Sequence, residues 1–134
     1  MRREDSGPGS PQAWLRYARA DLAYARVRPP DETSLDLACF HVQQAAEKAI
    51  KAVLVHLGIG FPYTHNIQTL TDLLPDDVRS SPELDPAVEL NAYAVLTRYP
   101  RDREEVDEQE YSEALKIGEA VVLWASTLVI GSRG

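Results

Sequence analysis

The chain has one cysteine, Cys39, among its 134 residues, so no disulfide can form within it. That suits a reducing compartment. It lacks the period-two alternation of half-buried strands, and its β-branched residues sit inside helical patterns. Its longest uncharged apolar run, AVVLWASTLVI at residues 120–130, has eleven residues. A bilayer span needs about 20, so the run reads as a buried helix. The opening MRREDSGPGSPQ has no apolar run behind its charges and is not read as a secretory leader. A glycine-rich phosphate loop is missing, and no zinc spacing is present: Cys39 and His41, two apart on a helix, point to different sides. No serine or cysteine nucleophile pattern stands out; Cys39 lies in an apolar run, and Trp14 and Trp124 read as core anchors. Positive charge is not in excess either. Fourteen Lys and Arg against 21 Asp and Glu give a net charge of −7. Broad non-specific binding to nucleic acid rests on neutralising phosphates and is disfavoured. A cytoplasmic protein without metal or cofactor is expected, with no membrane segment.

What is present is helix after helix. Residues 1–9 read as a tail and residues 10–131 as one domain. Ser10 and Pro11 have the residue types of a helix start, and Trp14, Leu15, Ala18, Leu22 and Ala25 form an apolar stripe to Arg26. Pro29 and Pro30 follow. A second helix is expected from Ser34 to Leu57, opened by Thr33 and Asp36 at capping-box spacing and stopped by Gly58 and Gly60. A short third helix is placed from His65 to Leu74 with Thr64 as cap, and a fourth from Pro86 to Arg98. The fifth follows Asp107 and runs to Ile130, with Tyr111, Ala114, Gly118, Val121, Ala125 and Leu128 as its stripe. These predict an all-α, antiparallel up-and-down bundle of about five helices.

The second helix carries the informative pattern, HVQQAAEKAIKA at residues 41–52. At about 100° per residue, Gln44, Lys48 and Lys51 fall within about 80° of His41. That is the helix's strongly polar arc. The rest of its circumference is largely apolar, so the helix is expected at the centre of the bundle. Gln43 and Glu47 break the rule by lying in the apolar arc, one turn apart and able to meet. A carboxylate facing a core needs a partner. Either Glu47 pairs with an arginine or tyrosine of another helix and locks the bundle, or it lines a polar groove or subunit interface.

These residues carry a resemblance. WLRYARADLAYA (14–25), ACFHVQQAAEKAIKAVL (38–54), THNIQTL (64–70) and LTRYP (96–100) resemble, in order, the segments of the HEPN domain, the higher eukaryotes and prokaryotes nucleotide-binding domain. The second-helix pattern H-x-x-Q-x-A-E-K-x-x-K is the most specific of them. The resemblance implies a homodimer, a minimal nucleotidyltransferase as partner in a toxin–antitoxin-like pair, and a nucleotide or RNA as ligand. Many such domains are metal-independent ribonucleases with an arginine followed by a histidine after four to six residues. No arginine here is so followed, which removes the obvious general acid or base. The first expectation is therefore a binding module using His41, Gln44, Glu47, Lys48, Lys51, Arg98, Tyr99 and Arg101. Tyr99 is also the nearest candidate for modification by the partner. The alternatives are an endoribonuclease toxin with a degenerate site, drawing on Arg98 with His41 or His65, and a non-catalytic helical scaffold.

Overall fold

A computed structural model describes residues 9–27, 34–94 and 106–131. Helix α1 (Pro11–Arg26) opens as its sequence predicts: the Ser10 hydroxyl accepts from the Ala13 amide at 3.1 Å, and Pro11 stands in the first turn. Its Leu15, Ala18, Leu22 and Ala25 are buried, and Trp14 packs at the edge of the core.

Helix α2 (Ser34–His56) follows. Thr33, its expected cap, lies outside the described residues, and the Asp36 carboxylate accepts from the Val106 amide at 3.0 Å. The far end closes on Gly58, whose φ of +75° suits glycine. The Gly58 amide donates to Val55 O at 3.0 Å and the Ile59 amide to Leu54 O at 2.9 Å. That pair of bonds is the Schellman closure.

The middle of the chain departs from expectation. Helix α3 (Ile67–Thr71) is shorter, and its cap is Asn66, not Thr64. The Asn66 side chain accepts from Gln68 N and Thr69 N, while the Thr64 hydroxyl accepts from Asn66 N in the turn before it. A single turn, α4 (Asp76–Arg79), was not expected. Helix α5 (Leu84–Ala87) starts before Pro86 and tightens into a 3-10 stretch, Val88–Tyr93, where one longer α-helix was expected. The reason lies in the apolar spacing. Leu84, Ala87 and Leu90, all buried, recur every third residue, the repeat of a 3-10 helix. Residues 95–98 of the expected helix lie outside the described residues.

Helix α6 (Glu108–Gly131) starts with Asp107 accepting from the Glu110 amide at 2.8 Å, while the Glu110 carboxylate accepts from the Tyr93 hydroxyl. α2 packs against both α1 and α6. Its Ala45, Ala46, Ala49 and Ala52 are fully buried and let the neighbours come close. Gly118 on α6 takes the closest approach: a Cβ there would lie 2.5 Å from Val42 Cγ1. The Tyr111 hydroxyl donates to Ala25 O at 2.7 Å, and Trp124 Nε1 donates to the Ser81 hydroxyl at 3.0 Å. These bonds pin α6 to α1 and to the turn after α4. The fold is all-helical, with no strand among the described residues.

Candidate functional site

Asp21 interrupts the buried stripe of α1 between Ala18 and Ala25. An isolated carboxylate there would be costly, and α2 supplies two partners. His41 Nδ1 lies 3.0 Å from Oδ1, and Lys48 Nζ donates to Oδ2 at 2.6 Å. His41 and Lys48 are seven residues apart, two turns along one side of α2, so they bracket the aspartate. An ionised carboxylate only accepts, so the proton of the shared bond sits on Nδ1 and Nε2 points away from Asp21. Tyr24 stacks on the His41 ring with centroids 5.4 Å apart and planes at 27°. Tyr24 is exposed, and His41 and Lys48 leave 27% and 26% of their side chains open to solvent. The result is a partly exposed imidazole and ammonium, both held by one buried carboxylate, with an aromatic ring stacked on the imidazole.

A second cluster occupies another side of α2. Glu47 is only 2% exposed. Of the two expectations for it, one was an arginine or tyrosine from another helix and the other a polar groove or subunit interface. It finds Lys51 on its own helix at 2.9 Å and His65 Nδ1 from the loop before α3 at 3.0 Å. No tyrosine or arginine is needed, because Lys51 is one turn on and the loop folds back over it. The fully buried Gln43 meets Glu47 at 3.3 Å, as its spacing predicts, and also donates to His65 O at 3.0 Å. Gln44 donates to Gln43 Oε1 at 2.7 Å. The Lys51 ammonium lies over the rings of Trp14 and Phe61, 5.4 and 5.5 Å from their centroids. Such cation–π contacts strengthen when desolvated, as here. Lys51 is thus buried, not part of a solvated stripe.

The polar arc read from the sequence therefore divides. His41 and Lys48 serve Asp21; Gln44 and Lys51 serve the Gln43–Glu47 pair, and His65 clamps the loop onto it. Arg98, Tyr99 and Arg101 lie outside the described residues. Among the described residues no group of three or more His, Cys, Asp or Glu could hold a metal ion. Asp21 escaped the sequence reading, although a charge on an otherwise apolar stripe was the signal that could have found it.

The model of the HEPN domain matches residues 11–128. The chain belongs to the HEPN domain family. Its backbone is similar to the crystal structure of TT1696 from Thermus thermophilus, at 29% identity and a TM-score of 0.69, covering 88% of this chain and 97% of that one. It is also similar to the crystal structure of ST0689, an archaeal HEPN homologue, at 27% identity and a TM-score of 0.66, covering 90% and 98% of the two chains. No protein of curated function matches. In this HEPN domain the most specific stretch of the sequence pattern, residues 41–51, contributes to both polar clusters, which Asp21 and Tyr24 of α1 and His65 of the loop complete.

Proposed function

We propose that this HEPN domain is a binding module whose α1–α2 face takes a nucleotide and works beside a minimal nucleotidyltransferase as its partner. The observation that carries the reading is Asp21 holding both His41 and Lys48 at the partly open α1–α2 surface, with Tyr24 stacked on His41. A lysine ammonium suits phosphate, an imidazole Nε2 offers a further polar contact, and an exposed aromatic ring stacks a base. Titration of the protein with ATP, followed calorimetrically, tests this. Binding is expected for the wild type, with Lys48→Ala weakening it about tenfold, the loss of about 1.4 kcal/mol. Absence of binding, or binding that Lys48→Ala leaves unchanged, would overturn the nucleotide reading. Recovery of a nucleotidyltransferase with the tagged protein from its own cells tests the partner separately.

A ribonuclease is the second reading, favoured by the same dyad, since a carboxylate-oriented imidazole is a common general base. RNA cleavage by the wild type that His41→Ala abolishes would move the conclusion to it.

A further inference from the structure

Helix α1 carries two exposed tyrosines, and the nucleotide reading uses one of them. Tyr17 is 62% exposed and Tyr24 66%. They are seven residues apart, nearly two turns, so both rings stand on one edge of the helix, about 10.5 Å apart along it. Asp21 lies between them, one turn from each, and Lys48 reaches across from α2 to its Oδ2 at 2.6 Å. The ammonium is therefore level with the interval between the two rings. His41 stacks on one face of Tyr24 and leaves the other open. Tyr17 has no hydrogen bond or ring contact among the described residues. Ala20, exposed and bearing only a methyl, occupies the interval on the outward side and leaves room above it. Arg16, also exposed, is one turn before Ala20 and has no carboxylate partner among the described residues.

We propose, resting on the nucleotide reading of this same face, that Tyr17 is a second base platform and that the ligand is two nucleosides joined 5′ to 5′ by a chain of phosphates. Each tyrosine stacks one base, and the phosphates cross the interval over Ala20, between Lys48 and Arg16. The order of chemistry along the edge is aromatic, cationic, aromatic, which matches base, phosphates, base. A mononucleotide uses only half of it. A nucleic-acid strand fits less well for two reasons. Its neighbouring stacked bases are about 3.4 Å apart, so the interval would hold further bases where the surface offers a methyl and two cations. The net charge of −7 also opposes a long polyanion more than a short one. Two cations suit a short bridge: the Arg16 guanidinium can take two phosphate oxygens at once, and the Lys48 ammonium acts as a point charge already fixed by Asp21. The share of each ring is separable, because a stacked base loses its affinity when the ring beneath it is removed.

Calorimetric titration of the full chain with diadenosine tetraphosphate beside ATP tests it. The wild type is expected to bind the bridged ligand about tenfold more tightly than ATP, the scale of one added stacked base, with one ligand per chain. In Tyr17→Ala the two ligands are expected to bind alike, and in Tyr17→Phe, which keeps a ring, the preference is expected to return. Both substitutions are at an exposed position and leave the core untouched. Tyr63→Ala, at a residue 92% exposed on the loop before α3, is the control expected to keep the wild-type preference. If ATP binds in a Lys48-dependent way and the bridged ligand binds no more tightly, the second platform is overturned and the nucleotide reading stands. If neither binds, the nucleotide reading falls and takes the platform with it. A preference that survives Tyr17→Ala, or one ligand per two chains, overturns the placement at Tyr17. A tetra-adenylate strand bound as tightly as the bridged ligand, with the same dependence on Tyr17, overturns the bridge in favour of a nucleic acid.

Discussion

Lys51 and Lys48 are three residues apart on one helix and hold different carboxylates at different depths. Lys51 is buried with Glu47, so removing it strands a charge in the core, which costs about 3–5 kcal/mol. Lys51→Ala is expected to lower the urea midpoint by a corresponding amount with the slope unchanged. The double variant Lys51→Met with Glu47→Leu is expected to recover much of the loss, because two well-packed apolar groups replace the buried pair. If the double variant is as unstable as the single one, His65 and Gln43 depend on the carboxylate more than the lysine does. At this scale the sequence was half legible. The Gln43–Glu47 contact follows from one-turn spacing. The partners of Glu47 do not, because His65 arrives through the path of a loop that no periodicity encodes. Asp21 was legible in principle, as the one charge on an apolar stripe, but its two partners are set by how α1 lies on α2.

The long helices were legible because each has its own start and stop chemistry. Ser10 and Pro11 open α1, Gly58 closes α2 and Asp107 opens α6. The short elements were not, because residues 66–93 hold several cap residues within a few positions of each other, and geometry selects among them. Two glycines give tests at this scale. Gly58→Ala places a Cβ in the left-handed region, at a cost of about 1–2 kcal/mol, with open space around it. Gly118→Ala keeps the helix but drives a methyl against Val42, a side chain stiff at χ1, and is expected to cost about 1–3 kcal/mol by overpacking. Thermal denaturation measures both. Pairing Gly118→Ala with Val42→Ala separates the causes, because room made at Val42 relieves the clash and does nothing for the strain at Gly58.

At the scale of the molecule, α2 is the shared wall: α1 packs on it from one side and α6 from another. The family was readable from the resemblance that residues 41–51 and three other segments carry, and the central place of α2 from its apolar circumference, which requires neighbours on more than one side. The outer face of α6 was not, because its run of eleven uncharged residues reads as core until the packing shows which half is covered. The same arrangement has a consequence for synthesis. α6 follows α2 in the chain only after residues 57–107. At about 5–20 residues per second, those take roughly 3–10 s to make. For that interval the nascent α1–α2 hairpin carries Val42, which Gly118 will cover, beside a gap that α6 has yet to fill, so the ribosome holds out an unfinished core for seconds with each copy it makes.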